Sequence, residues 1–106
     1  RFIVCGYQDD EACIFEINKV EPIPKPLRLG KDYGSVWCGS MQFVDEYMRN
    51  KEEFDYLNMS LDNGIEFAEF LIDLEIEKQE AKHGHSVCGR PIRIAVITKE
   101  KAQMIK

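Results

Sequence analysis

The stretch from Ser60 to Gly84, "SLDNGIEFAEFLIDLEIEKQEAKHG", constrains the fold more than any other part of the chain. Leu61, Ile65, Ala68, Ile72 and Ile76 recur at spacings of four, three, four and four, the period of one face of an α-helix. Ser60 stands where a side-chain hydroxyl caps the first turn, and Asp62 falls in the positive end of the helix dipole. Gly84, after His83, can leave the helix in the left-handed region, so the helix is expected to end there. Glu66, Glu69, Asp73, Glu77 and Glu80 occupy much of the other surface and read as a solvated face. A helix with one apolar stripe needs a second layer to cover it, and the remaining segments must supply that layer.

Two short runs of β-branched and aromatic residues, "RFIVCGY" and "ACIFEIN", flank Gln8-Asp9-Asp10-Glu11 and predict a hairpin. Cys13, Phe15 and Ile17 share one face of its second strand, and Ile14 and Glu16 the other. Prolines at 22, 24 and 26 cannot donate to a ladder, so the segment after the hairpin is expected to be an edge or a polyproline-like link, with a Pro-rich docking ligand as the alternative. "SVWCG" reads as a buried strand, and Phe43, Val44, Tyr47 and Met48 then form the stripe of a first helix. "PIRIAVIT" is the strongest strand pattern, with Ile92, Ile94 and Val96 on one face, and "KEKAQMIK" predicts a turn into a short closing strand. Strands at both ends around a helical pair imply an α+β fold, with two helices on one face of one antiparallel sheet.

At 106 residues the chain amounts to one domain at most, and its net charge of -5 argues against nucleic acid, whose backbone attracts clustered Lys and Arg. No apolar run reaches the ~20 residues of a membrane span. Cys5, Cys13, Cys38 and Cys88 form no C-x-x-C pair and lie among apolar neighbours. Reduced, buried thiols in the cytoplasm are therefore expected, with a Cys5–Cys13 disulfide across the hairpin as the alternative. Because the chain starts at Arg1 rather than at an initiator Met, a piece of a longer protein is expected.

Ser40, in "VWCGSMQF", raises three chemical readings. A phosphate cradle would need G-x-x-x-x-G-K or G-x-G-x-x-G, and a nucleophile elbow would need G-x-S-x-G, yet Met41 and Gln42 follow Ser40. An N-cap for the helix beginning "MQFVDEYM" suits the residue better. His83, His85 and Cys88 place three soft ligands within six residues, which is compatible with a small metal-binding module, although the sequence offers no fourth ligand. No cofactor is implied.

The hairpin "FIVCGYQDDEACIFEIN", the stretch "VWCGS" leading into a helix, the helix start "SLDNGIEFAEFLI" and the close "VCGRPIRIAVITKEKAQMI" follow in that order over nearly the whole chain. In this they resemble the C-terminal half of proteasome subunits and of proteasome-like N-terminal nucleophile (Ntn) hydrolases. The resemblance implies a four-layer αββα sandwich of which residues 1–106 are a single partial domain, the later half. It implies a parent that cleaves amide or peptide bonds with a nucleophile at its mature N-terminus, on a strand preceding these residues, and so no catalytic residue in this chain. Supporting positions carry over. Ser40 matches a serine that hydrogen-bonds near the nucleophile's amine. The family's Asp-x-x-Ser-Gly falls on His85-Ser86-Val87-Cys88-Gly89, with His85 in place of Asp, Cys88 in place of Ser, and Gly89 retained. Met41 replaces the last glycine of Gly-Ser-Gly. These replacements leave a noncatalytic scaffold or binding protein of the same fold as the alternative to a hydrolase. The implied partner is a second copy, or a chain that supplies the earlier half.

Overall fold

A computed structural model of the chain describes residues 2–18, 20, 25–26, 35–49, 56 and 58–106. It is α+β, with antiparallel strands and two helices, and its residues group into two compact units. The first holds residues 1–39 and 95–105, and the second residues 40–94 with Lys106.

In the first unit, β1 (Phe2–Gln8) and β2 (Glu11–Ile17) pair antiparallel with Gln8 opposite Glu11. Asp9 and Asp10 therefore form the whole two-residue turn, at φ 50 and 66. Positive φ at both positions is the geometry that matches the twist of a tight hairpin, and aspartate tolerates it better than most side chains. β3 (Lys25–Pro26) adds to the outer edge of β2, with Phe15 opposite Pro26. The expected edge role holds there, and the other residues of the proline-bearing link lie outside the described residues. β4 (Ala95–Ile97) and β5 (Ala102–Met104) form a separate hairpin closed by Thr98 and Lys101.

One antiparallel sheet containing all four expected runs is thus corrected to a three-stranded and a two-stranded sheet among the described residues. Residues 35–38 of "SVWCG" are half-buried but extend no ladder, and only Ala95–Ile97 of "PIRIAVIT" is strand. The apolar alternation of that last run still governs burial, since Ile94 is buried while Arg93 and Ala95 on either side are exposed.

The hairpin register also decides the disulfide question. Gly6 faces Cys13 and Cys5 faces Ile14, so the two thiols point to opposite faces of the sheet, where no disulfide can join them. All four cysteines are free, Cys5 exposed and the others half-buried, so the expected burial of every thiol does not hold.

The second unit pairs α1 (Gln42–Arg49) with α2 (Leu61–His83). Phe43 lies under the Lys82 ammonium, whereas Tyr47 meets Phe70 edge-on at 5.4 Å, so α1 runs antiparallel to α2. The Ser60 hydroxyl accepts the Asn63 amide at 3.1 Å, and Gly84 at φ 75 ends the helix by donating to Glu80 O, both as the sequence predicts. The α1 stripe behaves as expected, with Val44 fully buried and Phe43, Tyr47 and Met48 half-buried.

The buried sector of α2 is rotated from the expected one. Leu61 is 62% exposed and Ala68 is exposed, while Leu71, Glu75, Ile76 and Gln79 are buried. The stripe predicted from aliphatic residues alone misses the inner line Leu71, Glu75 and Gln79, because two of its three members are polar. No described helix is long and apolar enough to cross a membrane.

Candidate functional site

α1 begins at Gln42, so its capping position is Met41, whose buried thioether side chain cannot accept a backbone N–H as a cap does. The Asp45 amide closes the first helical bond to Met41 O at 3.0 Å, leaving the earlier amides in need of another acceptor. That acceptor comes from α2. Glu75 Oε1 takes the Phe43 and Val44 amides at 2.8 and 3.2 Å, across more than thirty residues of sequence. The carboxylate is 0% exposed and sits at the positive end of α1, where negative charge is favoured.

The expected Ser40 cap is therefore corrected. Ser40 is exposed, and its hydroxyl makes no hydrogen bond among the described residues. What it contributes is its carbonyl. Gln79 Nε2 donates to Ser40 O at 2.9 Å and to Glu75 Oε2 at 3.0 Å, and the Cys88 thiol approaches the same Ser40 carbonyl at 3.8 Å.

At the other end of the Gln79 amide, Oε1 accepts the Ser86 hydroxyl at 3.2 Å and the Val87 N–H at 2.9 Å. Ser86 Oγ in turn accepts the Cys88 amide at 3.1 Å. Gln79, 7% exposed, thus uses both donors and both lone pairs of its side chain. No described buried side-chain nitrogen or oxygen lacks a partner, so the polar cluster is closed rather than half-made. Three stretches meet in it: residues 40–44, the inner face of α2 at 75–79, and residues 86–88. Arg90 pairs with Asp73, which anchors the chain beyond that loop to α2, and this pairing raises the Arg90 pKa above its ordinary value.

Of the residues singled out from sequence, Ser40 and Cys88 come together. His85 does not join them. It is exposed, its Nδ1 lies 3.1 Å from His83 O, and its ring stands 6.3 Å from that of His83 at the end of α2. Gly89 is exposed, and a Cβ there would meet open space. The sequence spacing of His83, His85 and Cys88 does not become a ligand set: among the described residues no three His, Cys, Asp or Glu side chains are arranged to hold a metal ion.

Sequence reasoning missed Glu75 and Gln79, which organise the cluster. The signal for them was positional. Glu66, Glu69, Asp73, Glu77 and Glu80 step around one side of the helix, and Glu75 falls off that line, four residues from Leu71 and beside Ile76. An acidic residue inside the apolar sector needs a buried partner.

No family model, curated protein or solved structure matches the chain.

Proposed function

We propose that the chain is the later half of a proteasome-like Ntn hydrolase domain, a four-layer αββα sandwich with both helices on one face, and that it supports the chemistry without supplying its nucleophile. The observation that carries this reading is the meeting of Ser40 and Cys88, 48 positions apart, at one carbonyl. Those are two positions to which the resemblance assigns supporting roles around the attacking residue. An attacking serine needs a base within reach and donors for the developing oxyanion. Among the described residues Ser40 has no such base, because His85 turns to its own helix end. In this reading the nucleophile stands outside residues 1–106, and the parent cleaves amide bonds in the cytoplasm.

The test is to treat the intact protein with electrophilic peptide and fluorophosphonate probes and to map the label by mass spectrometry. Labelling of an N-terminal residue outside residues 1–106 is expected, with none at Ser40 or Cys88. Stoichiometric label at Ser40, lost on His85→Ala, would make this chain the enzyme and overturn the reading. The second reading, a noncatalytic scaffold of the same fold, is favoured by His85 and Cys88 standing where the family motif has Asp and Ser. Its signature is an assembled protein that takes no label at all.

A further inference from the structure

We infer that Gln79 is a positioning residue: its side-chain amide, more than the long Cys88 thiol contact to Ser40 O, sets where the 85–89 loop stands against the Ser40 turn. That these two segments form a supporting site rests on the function proposed above, whereas the mechanical claim does not.

Within the stretch the motif that would hold it in the resembled family is degenerate, with only Gly89 kept. Its own internal bond is the short Cys88 N–H to Ser86 Oγ contact. Besides the Cys88 thiol, 3.8 Å from both Ser40 O and Gln79 Nε2, the tie to the Ser40 turn runs through Gln79, whose oxygen accepts from Ser86 Oγ and the Val87 N–H while its nitrogen donates to Ser40 O and Glu75 Oε2. Val87 shows the external hold most plainly. Its side chain packs on little, being 70% exposed, yet its amide is engaged at 2.9 Å.

The residue type follows from the chemistry. A glutamate at 79 could still accept from Ser86 and Val87, but it would oppose the Glu75 carboxylate and could not donate to Ser40 O. A methionine of similar length could make none of these amide hydrogen bonds. Only a side-chain amide of this length both donates inward and accepts outward. The loop can therefore keep its place although its motif residues have changed.

Amide hydrogen exchange and carbonyl chemical shifts, measured by NMR on the full-length protein, test the assignment. In Gln79→Met, exchange at the Val87 amide should quicken about tenfold, the loss of one net hydrogen bond, while amides in the middle of α2 keep their rates. The exchanged pair Glu75→Gln with Gln79→Glu keeps an acceptor for Val87 and a donor between 75 and 79, but takes the amide donor from Ser40 O and leaves it only the Cys88 thiol at 3.8 Å. Val87 should then stay protected while the Ser40 carbonyl carbon shifts, a separation that general loosening would not produce. Unchanged Val87 exchange in a folded Gln79→Met variant overturns the inference. Should that variant not fold, an exchanged pair with the wild-type Ser40 carbonyl shift overturns it. Probe labelling is a separate measurement, so the hydrolase reading can fail while the role of Gln79 stands.

Discussion

Glu75 is the residue on which the second unit turns. Its Oε1 replaces the cap that Met41 cannot provide, and its Oε2 holds Gln79. Glu75→Ala removes these acceptors together and leaves buried amides unpaired, so a loss of about 3 kcal/mol in urea unfolding is expected. Glu75→Gln keeps an oxygen for Phe43 and Val44 and should cost about 1 kcal/mol. The two serines before the helices should behave differently under the same measurement. Ser60→Ala removes a real cap and should cost about 1 kcal/mol. Ser40→Ala removes an exposed hydroxyl without a described partner and should stay within about 0.5 kcal/mol, since the Ser40 carbonyl remains for Gln79. Equal losses at the two positions would show that Ser40 caps α1 after all.

Among the elements, α1 is the dependent one. Its 8 residues are too few to be helical alone, so the helix persists through Val44 packing and the borrowed carboxylate. α2 is capped at both ends by its own sequence, and its exit rests on Gly84 in the left-handed region. A Cβ there would meet no neighbour, so Gly84→Ala should cost about 1 kcal/mol for backbone conformation alone, read as a lower thermal midpoint. The β1–β2 turn should respond in the opposite direction. Asp9 and Asp10 both hold positive φ, which glycine adopts freely, so Asp10→Gly should stabilise the hairpin by up to about 1 kcal/mol. A lower midpoint for Asp10→Gly would show that the aspartate side chain has a role the turn geometry does not require.

For the whole molecule, the half-domain reading carries a consequence for assembly. Val4 and Tyr7 of β1 and Met104 of β5 are exposed apolar side chains in the first unit. If residues 1–106 are one part of a layered sandwich, such positions are covered by a second copy or by the chain carrying the other half. Light scattering across a concentration series should show association beyond one chain, and a strictly monomeric species at high concentration would count against the proposal. Much of the architecture was legible beforehand. The first hairpin, both helices, the Ser60 cap, the Gly84 exit and the closing strand pair follow from interactions within one turn or one hairpin, and composition and periodicity report such local preferences directly. What local pattern could not contain was the partner of a group far away in sequence. The opposite facing of Cys5 and Cys13 came from register, and the failure of residues 35–38 to extend a ladder came from pairing. The inner line of α2 became a polar cluster because the Phe43 and Val44 amides, the Ser40 carbonyl and the Val87 amide were brought to it. The sequence by itself determined where α2 starts and stops; the tertiary structure decided how α1 is capped and which side chains both helices bury, because the cost of burying a carboxylate or an amide depends on partners that only folding brings within hydrogen-bond distance.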